Sequence, residues 1–232
     1  QLENQPGFGL FTRSAATRIL CSSKARATAV ECWNASRGES FTINAEAVVV
    51  CAGGIETPNI LRRSANEWWP SGLGNHSGHL GRHLISHPGI AIGGWPKGFR
   101  LINGSIGPTA ATRHFDTEEE QVSGKYILLW RPAPTGLLFL NACIEQFPSA
   151  NNTVALGPAT TRFGTPTSII TFNYDERHKN REQTIREHLE TLTEHLGLKV
   201  SHRRRYLHAH PMCTSRMAKN PSDGVIDPEL RI

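Results

Sequence analysis

Along the first part of the chain, apolar or β-branched residues alternate with polar ones in three runs, Phe11 to Leu20 (FTRSAATRIL), Ala25 to Asn34 (ARATAVECWN) and Ser40 to Ile43. A period of two belongs to strands with one covered face, and Ser36-Arg37-Gly38-Glu39 between the last two runs reads as a hairpin turn. These residues predict a small antiparallel meander. Ala47 to Cys51 (AVVVC) is different: it is uninterruptedly apolar, the pattern of a strand buried on both faces in a parallel sheet. Ala52-Gly53-Gly54 ends it, and Ile55 to Arg63 (IETPNILRR) has helical composition, with Pro58 tolerable only in the first turn.

Beyond Ile90, glycine, proline and short apolar stretches alternate, with strands predicted at Ile90 to Trp95, Tyr126 to Trp130, Leu137 to Glu145 and Ser168 to Tyr174. The stretch Thr112 to Ser123 holds Asp116, Glu118, Glu119 and Glu120 and reads as a solvated loop. Asp175 to Leu196 is a long helix that places Ile185, Leu189, Leu192 and Leu196 on one face and Glu182 four residues before Arg186, with Gly197 as terminator. A helix laid on one face of an antiparallel sheet satisfies these periods. The fold class is therefore α/β in its α+β form.

Composition adds bounds rather than a function. The 232 residues are 38% hydrophobic and 19% charged, a globular balance. The net charge of +5 is spread along the chain except for Arg203-Arg204-Arg205, which reads as a solvated face, so nucleic acid is not an expected partner. Five cysteines without a C-x-x-C give neither a disulfide framework nor a zinc ribbon. No apolar run reaches the roughly 18 residues of a membrane span.

The strand, glycine turn and helix at 47–63 suit a nucleotide, because glycines admit a ligand to the backbone and a helix N-terminus offers unpaired N–H groups. An ordinary β-to-α turn without ligand is the alternative. The G-x-G-x-x-G fingerprint is absent, since Gly72, Gly74 and Gly78 have other spacings and follow Trp68-Trp69-Pro70-Ser71. His76, His79, His83 and His87, spaced by three, four and four, would align on a helix and could ligate a metal, although Gly78, Gly81 and Pro88 break that register. Metal residues are not assigned.

The C-terminal HPMCTSRM followed by GVIDPELRI resembles the H-x-x-G-T-x-R-M and V-V-D-P-x-L-R-V pattern of the glucose-methanol-choline (GMC) flavoprotein oxidoreductases. AVVVCAGGIETPNILRRS is similar to that family's strand-turn-helix against FAD, and GLGNHSGHLGRHLISHP to its G-L-G-N-x-S-G segment. The spacer SANEWWPSGLGN resembles the branch with gluconate, fructose and pyranose dehydrogenases. The resemblance implies a partial Rossmann-like FAD domain at residues 1–86, a substrate domain at 87–205 and a return to the FAD domain and active site at 206–232. It implies FAD as cofactor and oxidation of a CH–OH group of an alcohol or sugar by hydride transfer, with His210 as base and His208 as rival. Neutral imidazole, with an ordinary pKa of about 6.5, suits that role. Ala52, Gly53, Gly54, Glu56 and Thr57 match the turn near the FAD adenosine, and Ala16 the backbone position that pairs with adenine.

Within that branch the resemblance also implies a cytochrome c partner, a small accessory subunit and a periplasmic or membrane-associated location. Cys213 departs from the pattern, occupying the place of a glycine, where a side chain crowds the turn if φ is positive. The family's N-terminal dinucleotide loop and its second catalytic His or Asn have no counterpart in these residues. The expectation is an internal and C-terminal part of a larger dehydrogenase that by itself holds FAD weakly or not at all. The alternatives are a cofactor-free remnant or binding module of the same fold, and a histidine-based metal protein.

Overall fold

The computed structural model describes residues 5–23, 26–98, 110–112, 126–133, 136–174 and 176–232. They fall into two compact units: unit 1 comprises Gln1–Leu84, Ser149–Phe172 and Met212–Ile232, and unit 2 comprises Ile85–Pro148 and Asn173–Pro211. Residues 149–172, which the family resemblance assigns to the substrate domain, pack in unit 1, and the boundaries fall after Leu84 and Pro211.

Unit 1 opens with the predicted meander: β1 (Ser14–Ser23), β2 (Arg26–Asn34) and β3 (Glu39–Asn44) are antiparallel in that order. The side chain of Asn34 fixes the turn by accepting the Ser36 and Arg37 N–H groups at 2.9 and 3.0 Å, an Asx-type geometry. β1 begins three residues later than its alternation suggested, because Arg13 takes a left-handed φ of 52° and interrupts the pleat.

The predicted parallel strand at Ala47–Cys51 is a correction: residues 47–52 join no ladder among the described residues. Val48 and Val50 pack on the core while Val49 is 85% exposed. An apolar run reports a wish for burial on both faces, and here only one face has a neighbour. Helix α1 (Gly53–Arg63) starts two residues earlier than expected, which puts Pro58 in its second turn instead of its first. Its Ile60 and Leu61 meet Ile19, Leu73, Leu80 and Val225 in the core of unit 1.

The hairpin β8 (Thr153–Thr160) and β9 (Pro166–Thr171) forms a separate two-stranded sheet. It is tied to α1 by side chains. Arg62 donates to the carbonyls of Val154 and Leu80, and Asn59, fully buried, donates to Ser168 Oγ at 2.7 Å. Burial and the neighbouring Arg82 charge both lower the Arg62 pKa, yet the two carbonyls give its guanidinium hydrogen-bond acceptors where water is scarce. Gly81 (φ 73°) lies against this junction: a Cβ there would stand 2.4 Å from the Val154 carbonyl oxygen, so a side chain is excluded as well as strained.

Unit 2 is a five-stranded sheet in the order β10-β4-β7-β6-β5, with β4 at Ile85–Pro96, β5 at Ala110–Thr112, β6 at Tyr126–Pro132, β7 at Leu138–Ile144 and β10 at Leu198–Met212. Leu138, Leu140, Ala142 and Ile144 alternate inward along β7. Helix α2 (Glu176–His195) places Ile185 and Leu189 in the same core, with Leu192 and Leu196 beside them and Arg186 2.8 Å from Glu182, as their spacing predicted. Fully burying each of the first two is worth about 1.5–3 kcal/mol. Alternation along the sequence predicts neither β5 nor β10. Arg203 in β10 is held by both oxygens of Glu190 on α2, at 2.8 and 3.1 Å. The acidic residues Asp116 and Glu118 to Glu120 lie outside the described residues.

Candidate functional site

The turn Ala52-Gly53-Gly54 delivers the chain into α1, whose N-terminus has no side-chain cap. Gly53 holds a left-handed φ of 73°, and no atom lies within 4 Å of where a Cβ would stand. The space at Gly53 is therefore open, and an uncapped helix start of this kind can accept ligand oxygens. Ser215 Oγ, buried and without a hydrogen-bond partner among the described residues, is a second group suited to a ligand.

Pro58 shapes this turn from within the helix. Proline has no N–H, so the carbonyl four residues earlier, that of Gly54, lacks its helical partner. Thr214 supplies the missing donor: its hydroxyl, on a side chain 1% exposed, bonds the Gly54 oxygen at 2.6 Å. The Thr214 carbonyl in turn accepts the Gly81 N–H at 2.7 Å. Within unit 1, the part of the C-terminal motif from Met212 onward is thereby anchored on the glycine turn. The sequence showed a proline asking for a donor but not which residue provides it.

The other expected cofactor residues lie in unit 1 as well. Glu56 is already occupied: it accepts from Ser168 Oγ at 3.1 Å and pairs with Arg63 at 3.2 Å. What it offers a ligand is its place in the first turn more than its carboxylate. Thr57 follows it in the helix, half-buried. Ala16 is exposed in β1 opposite Cys32, at a register shift that interrupts the ladder before Arg18. Such a break leaves backbone groups without their usual ladder partners, and a backbone role at Ala16 needs that freedom.

His210 belongs to unit 2 and is exposed, in a left-handed conformation (φ 63°), with its ring edge-on to His87 at 5.6 Å between centroids. The rival His208 lies in β10, with its side chain outside the described part. Cys213 has φ 72°, so the position normally given to glycine keeps the glycine conformation and carries the strain of a Cβ. Burial pushes its thiol pKa up, against a smaller lowering by Arg216.

The histidines 76 to 87 do not share a helix; only Asn75–Ser77 makes a 3₁₀ turn. His76 bonds the Pro221 carbonyl at 2.7 Å, His79 and His83 bond each other at 2.9 Å, and His87 faces His210. Among the described residues no group of three or more His, Cys, Asp or Glu side chains is placed to hold a metal.

Comparison with known proteins gives the context. Residues 1–89 match the GMC oxidoreductase family. The fructose dehydrogenase large subunit of Gluconobacter japonicus is 37% identical over 70 residues, 30% of this chain and 13% of that protein. The 2-methyl-1,2-propanediol dehydrogenase of Mycolicibacterium austroafricanum is 46% identical over 50 residues, 22% of this chain and 9% of its own length. The 6'''-hydroxyparomomycin C oxidase of Streptomyces lividus is 32% identical over 83 residues, covering 36% and 15% respectively. These matches span only a small part of each relative. In structure, a formate oxidase variant of Aspergillus oryzae superposes with a TM-score of 0.68 at 18% identity, over 94% of this chain and 53% of that one. The chain thus spans about half of that solved enzyme, and the likeness establishes the fold.

Proposed function

We propose that this chain, whose residues 1–89 match the GMC oxidoreductase family, is part of an FAD-dependent enzyme that oxidises a CH–OH group of an alcohol or sugar. FAD supplies the hydride acceptor. The uncapped start of α1, the open space at Gly53 and the orphan Ser215 hydroxyl fit the group. Ala52, Gly53, Gly54 and Thr57 would hold its adenosine end through backbone atoms, with Glu56 shaping the helix start and Ala16 offering its main chain to the adenine. His210 accepts the substrate hydroxyl proton at a ring nitrogen. The observation that carries this reading is the Thr214–Gly54 bond, which within unit 1 joins the C-terminal motif to the turn proposed for FAD.

The relatives named for fructose and for a propanediol support a small hydroxylated substrate. The name "large subunit" supports an accessory subunit in the same assembly. A cytochrome c acceptor and a periplasmic or membrane-associated location belong to the same proposal by family analogy. Among the described residues no helix is long and apolar enough to cross a membrane. The test is rapid mixing of substrate with the purified FAD-loaded larger enzyme that contains this chain. His210→Ala is expected to slow flavin reduction by about 10²–10⁴-fold, with His208→Ala close to wild type. Unchanged reduction in His210→Ala would remove His210 as the base.

A further inference from the structure

Charge on the meander is mostly matched. Arg18 pairs with Glu31 at 2.9 Å and Arg37 with Glu39 at 3.5 Å. Arg13, at the entry to β1, has no ion pair among the described residues, and neither has Arg162 between β8 and β9. Both nevertheless line one cleft of about 580 Å³ within unit 1, together with Ser14, Ser36 and Phe163. Two like charges lining one cavity favour an anion between them.

The Arg162 guanidinium is steadied by a ring, and the Arg13 backbone by a hydrogen bond. The Arg162 group lies over the Phe163 ring, 4.8 Å from its centroid, a cation–π placement that leaves its N–H edge available. Arg13 keeps its left-handed φ of 52° while its carbonyl accepts the Ala35 N–H at 2.9 Å. That conformation is unfavourable for a residue with a Cβ, and such strain recurs at ligand clamps. The cleft is also larger than a bare ion requires and lies in the size range of small-molecule pockets, with an aromatic wall to hold an organic body.

We propose that this cleft binds a phosphorylated small molecule, its phosphoryl oxygens held by the guanidiniums of Arg13 and Arg162 and its organic part against Phe163. A phosphate monoester carries about −1.5 to −2 charges near pH 7 and matches two arginines, where a single carboxylate would neutralise only one. None of Ala16, Ala52, Gly53, Gly54, Glu56, Thr57 or His210 lines the cleft, whose Ser14 and Ala15 directly precede Ala16 in β1.

The test is a ³¹P NMR titration of phenyl phosphate with the full chain, at constant ionic strength, with phenol as the uncharged control. Saturable broadening is expected for the wild type, weakening as salt is raised. Arg13→Gly and Arg162→Met should each weaken binding at least about tenfold, as expected when one of two charge-assisted contacts is lost. Glycine suits the φ of Arg13, so that variant keeps its fold, and an unchanged melting curve verifies it. No saturable binding by the wild type, phenol binding as tightly as phenyl phosphate, or wild-type affinity in either variant would overturn the proposal.

Discussion

His83 combines a left-handed φ of 62°, which is costly, with a ring nitrogen hydrogen-bonded to that of His79 at 2.9 Å. One facing nitrogen must donate and the other accept, so the bond is lost only when both of these nitrogens carry protons. Burial first, then the charges of Arg216, His79 and Arg82, hold the His83 pKa below the ordinary histidine value of about 6.5. A depressed pKa in the folded state means that the unfolded chain takes up the proton first. The contribution of His83 is therefore present above about pH 6.5 and is lost as pH falls through the lower folded value. The urea midpoint is expected to drop between pH 7.5 and 5, and His83→Asn, which tolerates the left-handed φ, should flatten that drop. Parallel pH profiles for the two proteins would exclude His83 as a source. Cys213 shows the opposite balance between sequence and structure. Its departure from glycine was visible in the motif and its φ of 72° agrees, whereas the His79–His83 pair was hidden behind a helical spacing that the chain does not adopt.

At the scale of elements, α1 depends on a residue that is remote in sequence. Replacing Thr214 by Val leaves the Gly54 carbonyl without a donor and is expected to cost about 1–2 kcal/mol. In a Pro58→Ala background the restored N–H of residue 58 can take that carbonyl, so the same replacement should cost less, with a coupling energy of about 1 kcal/mol. Four urea curves measure this cycle, and additive costs would show that proline and threonine act separately. Much of the element pattern was legible, because local rules governed it. Alternation gave the meander, the Ile185-Leu189-Leu192 face gave α2, and the Asn34 turn fell where Gly38 promised it. The rest was set by partners. Residues 47–52 look doubly buried because they are apolar, yet Val49 is open. The 149–172 stretch goes with unit 1 through buried Asn59 and half-buried Arg62 on a distant helix, which periodicity does not reveal. The site divides likewise: the glycine turn and His210 were named from motifs, and the Thr214 clamp came only from the fold.

At the scale of the molecule, both compact units are assembled from discontinuous pieces. Arg62 is one of the stitches in unit 1, spanning α1, β8 and the Leu80 loop. Arg62→Met keeps the aliphatic bulk but strands two carbonyls, and should destabilise unit 1 by about 2–3 kcal/mol. Native-state hydrogen exchange localises the effect. The Val154 and Leu84 amides, now bonded to Gly81 at 2.7 Å and Asn152 at 3.0 Å, should exchange faster while Ala142 in β7 holds its rate. Equal acceleration at all three would mean that the units unfold together. The 160-residue separation between Gly54 and Thr214 also sets a clock. A ribosome adding about 5–20 residues per second reaches Thr214 some 8–32 s after Gly54 has been made. Throughout that interval the nascent helix carries an unanswered carbonyl at its start, so α1 can be secured only near the end of this stretch of translation, and any factor that shields a growing chain has that long to act on it.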